Sequence, residues 1–165
     1  MTTNYRQLND PAGDLIAIPT ATASVDIQVG GFPEELNADL VIGAANSVSS
    51  ASYAFVSADI GKLLIITDGT NFAPGVYYVA SVSGGAATLS ASPGSQGATG
   101  GTGAFATDCR GLLILGTGDV ALSSVHRPNI KATLPSVPVG VLPIRPAKVY
   151  KASNGTTATS VWGLF

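Results

Sequence analysis

His126 is the only histidine of the chain and Cys109 the only cysteine, so few side chains can do acid–base, nucleophilic or metal chemistry. Ser123 and Ser124 lie beside His126, which raises a small hydrolase using a serine, His126 and an aspartate. Closeness in sequence does not aim a hydroxyl at an imidazole, because nucleophile and base must meet through the fold. The plainer reading is a loop histidine ahead of Pro128. Cys109 stands between Asp108 and Arg110, and a neighbouring guanidinium lowers a thiol pKa. Without a second cysteine there is no redox motif, no intramolecular disulfide and no zinc cluster, so Cys109 reads as a buried or half-buried residue entering a strand. Asp68, Asp108 and Asp119 are dispersed beside glycines or strand boundaries. Turn chemistry accounts for Asp68-Gly69 and Gly118-Asp119, with a cation shared between subunits as the alternative. No catalytic residue, cofactor or metal ligand is assigned.

Four residues are chosen instead as contact residues: Arg110, Arg145, Tyr78 and Trp162. A guanidinium holds a carboxylate or several carbonyls in fixed geometry, which suits subunit joints. Trp162, Tyr77, Tyr78 and Phe72 could stack on the apolar faces of a sugar, but aromatic residues make up only 7% of the chain. Core or subunit-interface packing is therefore the better use of these rings. The run Pro93–Gly103, PGSQGATGGTG, reads as a flexible surface connection. Its Gly100-Gly101-Thr102-Gly103 lacks the lysine and following helix of a phosphate loop.

These residues must be positioned by a chain of 165 residues, enough for one ordinary domain or two small ones sharing a core. Only 11% of residues are charged, against about 25% in an average globular domain. The net charge of −2 leaves no basic field for phosphate backbones, so nucleic acid is not an expected partner. The polar start Met1–Asp10 lacks the layout of a secretory signal, and no stretch approaches the length of a membrane helix. A soluble protein folded in the cytoplasm, without membrane contact, is the expectation. Met1–Asp10 has little to bury alone and is expected to order only against a neighbour.

Straight-chain helix formers are scarce, while Thr, Val, Ser and Gly dominate, a balance that favours strands. The one helix predicted is about two turns over Pro33–Leu40, with acidic residues where the helix dipole favours them. Elsewhere short apolar or alternating runs are cut by turn residues at close intervals. Strands are predicted at Leu15–Ile18, Ser24–Val29, Leu63–Thr67, Val76–Val82 and Ala86–Ser90, the last two joined through Gly84-Gly85, which tolerates the positive φ of a tight hairpin. After the glycine-rich run come Gly111–Leu115, Val120–Ser123, Ile130–Leu134, Val141–Ile144, Val149–Lys151 and Ser160–Phe165. Pro128, Pro135, Pro138, Pro143 and Pro146 are assigned to strand ends, bulges or edges, since proline donates no ladder bond. Leu112, Ile114, Val120, Leu142, Ile144, Val149, Val161 and Leu164 are the predicted packing residues of this block.

Asp108-Cys109-Arg110-Gly111 through Gly118-Asp119-Val120, then Val137-Pro138-Val139-Gly140-Val141-Leu142-Pro143-Ile144-Arg145 and Asn154-Gly155-Thr156-Thr157-Ala158-Thr159, resemble in order the spike-base proteins of tailed-phage heads and gene transfer agents. The likeness covers about residues 107–165. Phe55 to Lys62, Gly75, Ser83 to Leu89 and Gly100 to Gly103 are similar to a small β module recurring in phage fibres, spikes and other virion proteins. The resemblance implies a structural oligomer seated on a capsid and implies no enzyme.

The expected fold is all-β: a β-sandwich or jelly-roll-like barrel with a hairpin-rich inserted module. Residues 1–45 supply an arm and first strands, 46–106 the insertion, and 107–165 a spike-base-like domain packing with the N-terminal strands. The two ends of the insertion are expected to lie near each other. The expected function is a virion structural protein, a capsid head spike base or decoration protein at the capsid surface. Its expected partners are itself, as trimer or pentamer, the major capsid protein, and a spike fibre protein. A tail-fibre or receptor-binding component recognising host glycan, with loops around Phe72 and Tyr78, is the alternative.

Overall fold

The computed structural model describes residues 15–30 and 39–165. The predicted helix over Pro33–Leu40, apart from Asp39 and Leu40, and the arm Met1–Asp10 lie outside them. The fold is all-β, with a closed six-stranded antiparallel barrel and two further four-stranded sheets. Its strands are β1 (Leu15–Ile18), β2 (Ile27–Gln28), β3 (Leu40–Ile42), β4 (Ser47–Ser49), β5 (Leu63–Asp68), β6 (Gly75–Ser83) and β7 (Ala86–Leu89), then β8 (Thr99–Phe105), β9 (Gly111–Gly116), β10 (Gly118–Ser124), β11 (Arg127–Val137), β12 (Gly140–Leu142), β13 (Pro146–Val149) and β14 (Ser160–Leu164).

One sheet has the order β1-β14-β9-β12 and the other β11-β10-β13-β2, every neighbouring pair antiparallel. Alternation decides which side chains meet between them. Ile16, Ile18, Leu112, Ile114 and Val161 of the first sheet share one buried cluster with Ile27, Val120, Leu122 and Val149 of the second, which makes the pair a β-sandwich. Leu142 and Ile144 pack half-buried against that cluster, and Phe165 closes it. Leu164, predicted to pack inside, lies half-buried with outward parity, because β14 buries Val161 and Gly163 on its other side. Pro128 and Pro135 fall within β11, the edge strand of the second sheet, where a missing donor breaks no ladder.

The barrel runs β3-β4-β7-β6-β5-β8 and back to β3, so it takes in Leu40–Ile42 ahead of residue 46. Its interior is Leu40, Ile42, Val48, Phe55, Leu64, Ile66, Val79, Leu89 and Phe105, capped by Phe72. Gly84 and Gly85 adopt φ of 57° and 79° in the tight turn between β6 and β7. The glycine-rich run is a correction: Thr99–Phe105 is not a surface connection but the closing strand, hydrogen-bonded to both β3 and β5. Glycine is there for space. A Cβ on Gly101 would stand 2.4 Å from the Phe72 ring, and one on Gly103 2.9 Å from the Ile65 carbonyl oxygen.

Barrel and sandwich join over a shared seam. The Val29 carbonyl accepts from the Cys109 N–H at 3.1 Å, so the chain entering the barrel and the chain leaving it are side by side. The Gln28 N–H donates to the Gly61 carbonyl at 2.8 Å, and the Gln28 amide donates to Ala58 at 3.0 Å and to Ile60. Leu63, Ile65 and Tyr78 of the barrel pack on the sandwich core. Gly61 has φ of +90°, and a Cβ there would meet the Asp26 carbonyl oxygen at 2.2 Å. Gly61→Ala should therefore combine left-handed strain with displacement of the β2 segment, lowering stability by about 2–3 kcal/mol in urea unfolding. An unchanged midpoint would show that the seam yields freely.

Candidate functional site

Tyr78 and Trp162, 84 positions apart, line one groove of about 390 Å³ between barrel and sandwich, with Leu15, Ile16, Ala17, Pro19, Leu63 and Val76. Strand alternation sets this up. Tyr77 packs on the barrel interior while Tyr78, next in sequence, turns outward onto the sandwich. The Tyr78 hydroxyl accepts from the Ser24 N–H at 3.3 Å, and the Trp162 Nε1–H donates to Ser160 Oγ at 3.1 Å. Both polar tips are thus engaged, and the other lining side chains are apolar.

Trp162 also belongs to a wider surface. The register sets Ala17 opposite Trp162, Trp162 opposite Leu113 and Leu113 opposite Val141, one row across all four strands on the side away from the core. None of the eighteen residues in these strands is charged. Val141 is 63% exposed, Val139 58%, Leu115 50% and Leu15 46%. The sequence shows these strands as apolar runs but does not show that their second face stays uncovered.

The two chosen arginines lie at one end of the same sheet. Arg110 immediately precedes β9, its N–H donating to the Leu164 carbonyl at 2.7 Å, and its side chain is exposed. Arg145 follows β12, and its guanidinium stands 3.8 Å from the Asp108 carboxylate, both side chains about 60% exposed. Such a surface pair contributes little stability in water.

Cys109 is fully buried, its Sγ–H donating to the Gly111 carbonyl at 3.1 Å. Burial pushes the thiol up to about 11 from an ordinary value near 9, so Arg110 does not activate it. Because the native thiol keeps its proton while the unfolded one loses it, stability should be full below pH 9 and decline by about 2–3 kcal/mol as pH rises to 11. Cys109→Ala should remove that component of the alkaline slope, measured by urea unfolding at pH 8 and pH 10.5. An identical slope in the variant would contradict it.

His126 is exposed in the turn between β10 and β11, whereas Ser123 is fully buried and its hydroxyl has no hydrogen-bond partner. The two are not joined. Among the described residues, no three His, Cys, Asp or Glu side chains gather as a metal site.

A buried network missed by sequence reading lies in the barrel. The Asp59 carboxylate accepts from Lys62 Nζ at 2.7 Å, the Tyr53 hydroxyl at 2.9 Å and the Val56 N–H at 2.8 Å. Its signal was a charged pair three residues apart wedged between Phe55 and the apolar run of β5. Compared with protein-family models, with curated proteins and with solved structures, the chain matches none.

Proposed function

We propose that this chain is a virion structural protein, the base of a head spike or a capsid decoration protein, which assembles with copies of itself and attaches to the major capsid protein of a phage-type shell. The observation that carries the reading is the uncharged outer face of the first sheet, with its row Ala17–Trp162–Leu113–Val141. A face of this kind is costly to leave in water and is covered in an assembly. An interface of standard size buries about 1,600 Å² in total, and repetition around a symmetric shell strengthens each weak contact. The resemblance of residues 107–165 to spike-base proteins points the same way. No reactive centre enters this reading, and a spike fibre protein is a further partner it allows.

The alternative, a tail-fibre component binding host glycan, draws on the shared groove of Tyr78 and Trp162. It has less support, since recognition of sugar hydroxyls needs several free polar groups, and the groove offers few: the Trp162 N–H is engaged, the Tyr78 hydroxyl already accepts from Ser24, and the other lining side chains are apolar. Electron microscopy of particles carrying a labelled copy of the chain tests both. Label over capsid vertices or faces is expected; label at the tail tip would favour the alternative, and unlabelled particles would end both.

A further inference from the structure

Charge is divided between the two halves. In 39–106 the described charged residues are Asp39, Asp59, Asp68 and Lys62, and Asp59 and Lys62 pair internally. In 15–30 and 107–165 they are Asp26, Asp108 and Asp119 against Arg110, Arg127, Lys131, Arg145, Lys148 and Lys151. Among the described residues the barrel is acidic and the sandwich basic.

The surplus is organised on both sides. On the second sheet, Lys131 Nζ stands 5.3 Å and Lys148 Nζ 5.9 Å from the centroid of the Tyr150 ring. The two ammonium groups are thus at most about 11 Å apart, and neither has a carboxylate within 4 Å among the described residues. On the barrel, Asp68 of β5 is opposite Thr102 of β8. Carrying the Leu40–Gly101 register one residue on sets Asp39 opposite Thr102 from the other side. The backbones of the two aspartates flank one strand at about two strand spacings, about 10 Å, near the span of the ammonium pair, and the Asp39 carboxylate also accepts from Ser50 and Ser52. Asp39 stays ionised, because the Ser50 and then the Ser52 hydroxyl hold its carboxyl below the usual range. Asp68 lies three residues along β5 from Ile65, which packs on the sandwich core, so the acidic row is about 10 Å from the seam. Within one chain neither row reaches the other.

We infer that the Asp39–Asp68 row of one copy docks on the Lys131–Tyr150–Lys148 face of the next, a head-to-tail contact between copies. The inference rests on the self-assembly in the function proposed above and gives it an interface. Two unlike faces on one chain make a heterologous contact, which closes into a ring or runs on as a chain of subunits. Opposed pairs also fix the direction of docking, since acidic-to-acidic and basic-to-basic encounters repel.

Sedimentation of the purified full chain tests this. Self-association is expected in low salt and should weaken steeply toward about 0.5 M salt, where the Debye length is about 4 Å. Lys131→Glu with Lys148→Glu should weaken association about tenfold or more, as should Asp39→Lys with Asp68→Lys, and combining all four, which reverses both sides of the contact, should restore much of it. A wild type that stays monomeric, a lysine variant that associates normally, or losses that the combination does not restore would each overturn the pairing. The salt series on the unaltered chain decides the matter even where a variant does not fold. Labelled particles report location independently, so chains that decorate capsids yet ignore these substitutions would sink the interface and leave the proposed function standing.

Discussion

Asp59→Ala is expected to destabilise the fold by about 3–5 kcal/mol, because it removes a buried carboxylate on which the Lys62 ammonium, the Tyr53 hydroxyl and the Val56 N–H converge. The side chains of Asp59 and Lys62 are 1% and 11% exposed. Removing the carboxylate also takes the acceptor at Asp59 away from the Tyr53 hydroxyl and the Val56 N–H that donate to it, which adds to the loss. Asp59→Asn should fare little better: its amide oxygen can still accept from Lys62 or Tyr53, but the charge is gone and its NH₂ confronts the Val56 N–H. The informative variant is the double one. Asp59→Leu with Lys62→Met replaces both charges by apolar groups and should be markedly less damaging than Asp59→Ala alone. Urea unfolding followed by circular dichroism measures all three. A loss under about 1 kcal/mol for Asp59→Ala would mean that water reaches the pair and that its burial is not felt.

That network shows where sequence reading stops. Strands with strict alternation or bounded apolar runs were legible: Leu15–Ile18 is found at its predicted limits, and Leu63–Asp68 and Gly111–Gly116 each run one residue past theirs. In each, side-chain pattern and backbone position report the same thing. The pattern fails where packing is done by absence. β8 contains Gly100, Gly101 and Gly103, which have no side chain to mark an inside and an outside, yet Gly101 is where the Phe72 ring closes over the barrel. A loop composition thereby conceals a central strand. β3 and β4, three residues each, are too short for alternation to separate them from noise.

Of the contact residues, the sequence could nominate Tyr78 and Trp162 by type, and Arg110 and Arg145 by charge. It could not tell that the first two meet in one groove, since that depends on the angle at which a barrel is set against a sandwich. The Lys131–Tyr150–Lys148 cluster was equally hidden. Lys131 and Lys148 come from β11 and β13, on opposite sides of β10, and only the sheet order brings them over one ring. Single-strand features are read from spacing, whereas anything made of three strands needs the register.

Phe105→Ala should lower stability by about 3–5 kcal/mol, the range for emptying a buried aromatic site, and the loss should be felt in both halves. Phe105 ends β8 and is 1% exposed. Its ring meets Tyr53 edge-on at 5.9 Å and Phe55 at 6.2 Å, and the Lys62 ammonium stands 4.8 Å from its centroid. Phe105→Leu keeps most of the volume but loses the ring contacts, so about 1–2 kcal/mol is expected. Since Phe105 and Asp59 both hold Lys62, the double variant with Asp59→Ala should lose less than the two single losses together. Trp162, the only tryptophan, belongs to sandwich strand β14 and shares its groove with Leu63, Val76 and Tyr78 of the barrel, so its fluorescence reports the sandwich together with the seam. Leu63, Ile65 and Tyr78 pack on the sandwich core, and Gln28 is bonded across the seam to Ala58, Ile60 and Gly61. The Trp162 transition should therefore shift with the barrel's own, followed by near-ultraviolet dichroism of Tyr53 and its neighbours. If the barrel signal moved to lower urea while the tryptophan signal stayed in place, the halves would be independent folding units. The seam would then be a docking surface between two stable bodies and no continuation of one core.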